Sequence, residues 1–321
     1  MTKKRVCYPE SSCFLKIWAC LLLFTLLLIA CRQEENYPYV EINLDTQAAV
    51  VAAELSPGKT PLRVAVAAVI SPKATFDTYS PLLDYLAIKL DRPVELLQRP
   101  TYAEINELLR TGQADIAFVC GGAFVEGERE NYMELLVVPR IQGRTTYQAL
   151  IIVPVSSEVQ NFDDLRGKRF AFTDPLSNSG RLYVQYRLAN IGERPSSFFG
   201  DTIFTYSHDN SIRAVAEGIV DGASVDSLVY NALIQAEPDL KDKLRIVEQS
   251  PFFGIPPVVV HPQLNKELKE SLRVALLEMH HDERGKKALQ VLRVEEFVPP
   301  YSTGYDSIRE MAAAVRGWPQ P

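Results

Sequence analysis

Apolar and polar positions divide the chain into three stretches. An apolar run from Ile17 to Ala30 follows Lys3, Lys4, Arg5 and Lys16. About 14 apolar residues fall short of a bilayer span but match the core of a signal peptide. Residues 32 to 60 are mostly polar and close on Pro57-Gly58-Lys59, which reads as a tether. From Leu62 onward short apolar runs alternate with helical spacing, the pattern of α/β architecture. Apart from Arg63, Leu62–Ile70 is apolar, as a strand buried on both faces would be. Phe76, Tyr79, Leu82, Leu83, Leu86 and Leu90 then recur at helical spacing. Further strands are predicted at Val94–Leu97, Ile116–Val119, Leu150–Val155, Arg169–Thr173, Ile203–Tyr206, Gly222–Val225 and Val258–Val260. Further helices are predicted at Tyr102–Arg110, Arg181–Ile191, Asn210–Glu217, Leu264–His281 and Arg284–Leu292. The pattern assigns no element between Val119 and Leu150.

Two of these stretches repeat each other. Tyr102 is followed ten residues later by Gly112 and thirteen later by Asp115, then by the strand Ile116–Val119. His208 is followed at the same offsets by Gly218 and Asp221, then by the strand Gly222–Val225. Glycine suits a left-handed helix stop, and aspartate suits the turn before a strand. Any helix–strand unit shares some of this, but two matching offsets point to two lobes of related fold, 106 residues apart. The repeat places Tyr102 and His208 at equivalent helix starts beyond the carboxyl end of a strand, where open α/β sheets bind ligands. Two such ends facing each other would make a cleft.

Charge and cysteines then narrow the setting. The apolar run ends in Leu28-Ile29-Ala30-Cys31, which resembles a bacterial lipobox. The resemblance implies cleavage before Cys31, lipid on its sulfur, and a membrane anchor on the extracytoplasmic side; an uncut N-terminal anchor is the alternative. Cys7, Cys13 and Cys20 would leave with the signal peptide, so Cys120 has no partner for a disulfide and reads as a small buried hydrophobe. Four of the 34 basic and one of the 40 acidic side chains lie in residues 1–31, leaving a balance of −9. Such a surface has no general attraction for nucleic acid or anionic membrane. An anion would have to be held by local dipoles and hydroxyls.

Asp174-Pro175-Leu176-Ser177-Asn178-Ser179-Gly180 supplies such groups. It stands between a predicted strand and a predicted helix, where free backbone N–H groups carry partial positive charge. Ser and Asn are also ordinary helix caps, but Ser-Asn-Ser-Gly is richer than a cap requires. Serine, His208 and Asp226 contain the residue types of a hydrolytic triad. Ser179 lacks the Gly-x-Ser-x-Gly elbow, and no Walker A loop or dinucleotide fingerprint is present. His280 and His281 are adjacent on a predicted helix and so point about 100° apart, unlike clustered metal ligands.

Asp-Pro-x-Ser-x-Ser-Gly, Ser207-His208-Asp209 and Val220-Asp221-Gly222-Ala223-Ser224-Val225-Asp226-Ser227 resemble the periplasmic phosphate, phosphite and phosphonate-binding proteins of ABC importers. Arg99-Pro100-Thr101-Tyr102, Asp115–Val119 and Ser250-Pro251 before Ile255-Pro256 extend the likeness over nearly all of residues 61–300. The resemblance implies a type II periplasmic-binding-protein fold: residues 61–148 and 255–321 form one lobe, residues 149–254 the other, and two crossing strands join them. It implies that Ser177, Asn178 and Ser179 hold the phosphorus-bound oxygens, joined by Tyr102, Tyr147 and His208, with Asp226 reading the rest of the ligand. It also implies a permease and ATPase complex as partner, no cofactor or metal, no catalysis, and a monomer that works by hinge closure. Asn178 departs from the family's usual threonine. Arg181 stands where an aromatic or apolar residue is common; it is expected to be a solvated helix residue, with added charge at the cleft as the alternative. Gly254-Ile255-Pro256-Pro257 lacks the carboxylate found there in aminophosphonate binders, which favours a smaller oxyanion. A sensory protein reporting to a membrane kinase would need the same closure, and these residues do not separate the two roles.

Overall fold

The computed structural model describes residues 59–318. The expected signal peptide, the Cys31 expected to carry lipid, and nearly all of the expected tether lie outside the described residues. Among the described residues no helix is long and apolar enough to cross a membrane.

The first part of the chain runs β1 (Leu62–Val66), α1 (Pro72–Leu90), β2 (Val94–Gln98), α2 (Tyr102–Arg110), β3 (Ile116–Phe118), α3 (Gly121–Arg129) and β4 (Glu134–Arg140). The short β5 (Thr146–Tyr147) leads to β6 (Ala149–Pro154), β7 (Arg169–Phe172), a π-turn at Asn178–Leu182, and α4 (Tyr183–Ala189). Then follow β8 (Asp201–Phe204), α5 (His208–Ala216), β9 (Gly222–Asp226), α6 (Ser227–Ala236) and β10 (Leu244–Gln249). The short β11 (Phe253–Gly254) returns the chain to β12 (Val258–Val260), α7 (Lys266–Leu277), α8 (Glu283–Leu292), β13 (Glu296–Val298) and α9 (Asp306–Ala314).

Two sheets result. One has the order β13-β4-β12-β3-β1-β2 and the other β10-β6-β9-β7-β8. Their cores match: β1 lies parallel between β2 and β3, and β7 lies parallel between β8 and β9. An antiparallel strand follows in each, β12 beside β3 and β6 beside β9. Between the sheets, β5 and β11 pair antiparallel through Phe253 with Tyr147 and Gly254 with Thr146. The chain passes from one sheet to the other along these two strands, so the pair is the crossing point.

The sequence repeat is written in hydrogen bonds. Asp115 N–H donates to Arg63 O and Asp221 N–H to Arg169 O, both at 2.9 Å. The aspartates return the favour, each accepting the arginine N–H at 2.8 Å. Gly112 and Gly218 end α2 and α5 at φ +67° and +70°, the left-handed region in which glycine is unstrained.

Three apolar clusters hold the body. Leu62, Val64 and Val66 face Leu82, Leu86, Leu272 and Leu276 of α1 and α7. Ala65, on the opposite face of β1, joins a larger cluster with Tyr102, Phe124, Tyr147, Phe170 and Tyr305 that runs through both halves. Leu150, Ile152 and Val225 pack under Ile212 and Val215 of α5. Burial on both faces is why β1 is apolar at every position but Arg63, which is half-buried and paired with Asp115. The structure ends β1 at Val66, four residues before the predicted end. Ala67 is buried and Ala68–Ile70 are half-buried in the loop that follows, and periodicity does not tell such a loop from a strand.

Other boundaries differ for local reasons. β8 ends at Phe204, because Tyr206 adopts φ +58° and turns the chain toward the cleft. The helix predicted to His281 ends at Leu277 and gives way to a 3-10 turn. α3 and β4 fall where the pattern assigned nothing. The helix α9 packs on α3 of the first lobe and on α4 and the π-turn of the second. Arg309 fixes it to Glu128 of α3 through bonds of 2.7 and 2.8 Å.

Candidate functional site

The segment after β7 is the centre of the site. Asp174 Oδ1 accepts Leu176 N–H at 2.8 Å and sets the turn. Ser177 caps the following turn, its Oγ accepting Gly180 N–H at 2.9 Å. The chain then makes a π-turn, with Leu182 N–H bonded to Ser177 O at 2.9 Å, before α4 begins. One extra residue per turn re-aims the side chains, a device found often at functional sites. It corrects the reading of Arg181 as a solvated residue. Arg181 is 5% exposed, donates to Pro175 O at 2.8 Å, and lies 5.8 Å from the Phe204 ring centre. Burial pushes its pKa down, and the Asp174 carboxylate opposes that shift.

The residues that the sequence reading singled out meet here. Ser177, Asn178 and Ser179 are fully buried. Asn178 Nδ2 donates to the Tyr147 hydroxyl at 3.0 Å, and Tyr147 stands on the crossing strand β5. His208 opens α5, with Nε2 3.4 Å from Ser177 Oγ. Its Nδ1 accepts Asp226 N–H at 3.0 Å, so the ring proton resides on Nε2 and faces the nest. Tyr102 opens α2 with its hydroxyl buried. Tyr102 Oη, Ser179 Oγ and Asn178 Oδ1 have no hydrogen-bond partner among the described residues. Buried polar atoms without partners are rare and costly, and here several converge.

Burial sets the electrostatics. His208 is pushed down to about 3 and is neutral at ordinary pH. Tyr102 and Tyr147 are raised well above 10 and keep their protons. Asp226 is raised by burial to about 7, although Leu228 and Val229 N–H groups oppose the shift. Asp226 Oδ1 accepts Leu228 N–H at 2.6 Å and so caps α6. The arrangement offers hydroxyls, amide groups and a neutral imidazole N–H, a set that suits a small oxyanion.

Residues unmarked by the sequence reading complete the seam. Cys120 is buried as expected, but its sulfur accepts Asn178 N–H at 3.3 Å from the other lobe. Thr173 Oγ1 lies 3.1 Å from His208 Nδ1. Ser207 Oγ is buried without a partner among the described residues. Asp174 Oδ2 accepts Tyr102 N–H at 3.1 Å across the cleft. Its place in the Asp-Pro motif was the one available signal. No three His, Cys, Asp or Glu side chains group as metal ligands among the described residues.

Residues 64–305 match the family described as ABC transporter, phosphonate, periplasmic substrate-binding protein. The chain belongs to that family. The members of that family are, by its description, periplasmic substrate-binding proteins of ABC transporters. It is 27% identical over 199 residues to the phosphonates-binding periplasmic protein of Escherichia coli K12, covering 60% of this chain and 59% of that one. The alignment thus spans less than two thirds of the E. coli protein. It is 27% identical over 255 residues to the phosphate-import protein PhnD of Mycolicibacterium smegmatis, covering 73% of this chain and 79% of that one. In fold it resembles a binding protein component of an ABC phosphonate transporter from Pseudomonas aeruginosa, with TM-score 0.74, 23% identity, and 79% and 86% of the two chains covered. PhnD1 of Prochlorococcus marinus in complex with methylphosphonate gives TM-score 0.71 at 20% identity, covering 79% and 97%. The fold is that of the type II periplasmic binding proteins.

Proposed function

We propose that the chain is the solute-binding component of an ABC importer and captures a small phosphorus oxyanion by closing its lobes. The observation that carries this reading is the buried turn Ser177–Ser179, with His208 Nε2 3.4 Å from Ser177 Oγ, the Tyr147 hydroxyl 3.0 Å from Asn178 Nδ2, and Ser179 Oγ without a partner among the described residues. Ser177, Asn178 and Ser179 receive the oxygens, Tyr102 and Tyr147 donate from the first lobe, and His208 donates as a neutral ring. Asp226, near its midpoint at neutral pH, accepts or shares a proton with a protonated ligand oxygen. The relatives named above are phosphonate- and phosphate-binding proteins, and the phosphorus oxyanion is what those ligands share.

The lobes are residues 61–148 with 255–321, and residues 149–254, with α9 as a third connection. Cys31 carries lipid and holds a monomer at the membrane, residues 32–60 tether it, and the closed body meets a permease and ATPase complex. A hydrolytic role is disfavoured by the imidazole geometry. In a triad the carboxylate accepts the Nδ1 proton; here Nδ1 accepts Asp226 N–H and the carboxylate caps α6. Aminophosphonate is disfavoured too. The segment Gly254-Ile255-Pro256-Pro257 offers no carboxylate to a ligand ammonium.

Calorimetric titration of the full chain in detergent tests the reading, against phosphate, phosphite, methylphosphonate, 2-aminoethylphosphonate and sulfate. One of the first three binds with Kd on the order of 1 μM or tighter, about −8 kcal/mol, and binding is lost in Ser179→Ala and His208→Ala. Silence across the panel from folded, ligand-stripped protein would defeat the proposal.

A further inference from the structure

The helix α1 does not cap its own N-terminus. Ser71 stands at the cap position with no side-chain cap bond, and the first turn has no acidic residue. The acceptor arrives from the other lobe: Asp209 Oδ2 accepts Ser71 N–H at 3.3 Å. Beside it, His208 N–H donates to Val69 O at 3.0 Å. These two bonds run in opposite directions between segments 69–71 and 208–209, as in a capping box divided between two bodies. The helix α2 has its own capping box at Thr101 and Glu104, and the other lobe adds one more acceptor. Asp174 Oδ2 reaches its first amide, Tyr102 N–H, at 3.1 Å. Both carboxylates are buried at the seam, at 1% exposure for Asp174 and 9% for Asp209. Asp209 Oδ1 has no hydrogen-bond partner among the described residues. Burying a carboxylate with an unfilled acceptor is costly, and a helix N-terminus is a place where negative charge recovers part of that cost.

We propose that Asp174 and Asp209 are closure residues: each caps a helix of the opposite lobe only when the cleft is shut. Ligand affinity then depends on two carboxylates that hold the lobes and not the ligand. The inference rests on the reading of the chain as a receptor that closes around its solute.

Cys120 provides the measurement. It is 2% exposed, and its sulfur takes Asn178 N–H across the seam, so a thiol reagent reaches it through opening. The full chain in detergent is treated with iodoacetamide, and labelling at Cys120 is followed by peptide mass spectrometry. Asp209→Ala and Asp174→Ala each speed labelling about fivefold and weaken the oxyanion that the wild type binds by about the same factor. Asp209→Asn keeps an acceptor oxygen and stays near the wild-type rate. Thr101→Ala removes the cap bond from Glu104 N–H inside the first lobe, at 3.2 Å, and lowers the melting temperature without changing labelling. Equal labelling of the wild type and both alanine variants overturns the proposal, whatever the protein binds. Labelling needs no ligand, so a silent ligand panel with faster labelling in the alanine variants would defeat the receptor reading and leave the closure residues standing.

Discussion

Gly122 is the position where one methyl group separates folding from closure. It lies in the first turn of α3, on the first lobe. A Cβ built there would fall within 3.0 Å of Leu176 O and 3.1 Å of Asn178 N, both on the second lobe. Ordinary contact begins near 3.4 Å. The lobes would have to part by roughly 1 Å at this point, since repulsion rises steeply inside contact distance. Overpacking of that size costs about 1–3 kcal/mol, which weakens binding about 5- to 150-fold. The same change should help the fold, because alanine in a helix interior is favoured over glycine by about 0.5–1 kcal/mol. Gly122→Ala therefore moves stability and affinity in opposite directions. Thermal unfolding with and without the bound oxyanion reads both. At ligand near 100 times the wild-type Kd, ligand stabilises the wild type by about 2.7 kcal/mol, and a 30-fold weaker variant by about 0.9 kcal/mol. A variant with wild-type affinity would refute the claim that this seam is the closed state the ligand requires.

Two further outcomes follow from charge. Asp226 has a raised folded pKa, about 7 against 3.8 unfolded. Its contribution to stability is fully present below pH 4 and is lost as pH rises through 7, because the unfolded chain releases its proton first. Asp226→Asn, which still caps α6, should be more stable than the wild type at pH 8 without ligand, by up to about 4 kcal/mol. The advantage should shrink to nothing near pH 4, and urea unfolding at pH 4, 6 and 8 that shows a constant difference would contradict it. The repeated aspartates provide an internal comparison. Asp115 binds Arg63 through Nε at 3.1 Å and Nη2 at 2.7 Å, whereas Asp221 lies 3.7 Å from Arg169 Nε. Asp115→Ala should cost about 2 kcal/mol and Asp221→Ala about 1 kcal/mol in urea unfolding, and the reverse order would count against the geometry.

Local signals made the framework legible and left the seam illegible. The starts of α2 and α5 at Tyr102 and His208 were readable because glycine stops and aspartates sit at fixed offsets after them. The composition of the nest, Ser177–Ser179, was readable as a set of donors. The π-turn was not, because apolar spacing does not register one added residue in a turn, and Arg181 was misplaced as a result. The helix α3 was hidden because Gly121, Gly122 and Gly127 argue against a helix on propensity. Packing of Ala123 and Phe124 in the common core overrides that preference. Gly122 is tolerated there for a reason that lies 54 residues away, the approach of Leu176. The strand β4 contains Pro139, which ordinarily marks an edge, yet it lies between β12 and β13. Contacts between lobes join residues such as Ser71 and Asp209, 138 apart, and no pattern along the chain records them.

The repeat was read as placing two helix N-termini, at Tyr102 and His208, on either side of a ligand. The structure assigns those first amides differently. Tyr102 N–H is taken by Asp174 and His208 N–H by Val69 O, each across the cleft. The equivalent ends of the two lobes therefore hold each other, and only their side chains, a phenol and an imidazole, remain for a ligand. Backbone donors for an anion must come from elsewhere. In the π-turn Asn178 N–H goes to Cys120 and Gly180 N–H to Ser177. With so few main-chain donors, hydroxyl and imidazole protons carry the recognition. These groups are neutral, so the site gains little from total ligand charge and much from the placement of oxygens and protons. The repeat thus presents two matching ends, and their use in bonds across the cleft leaves selection of the ligand to side chains in which the two lobes differ.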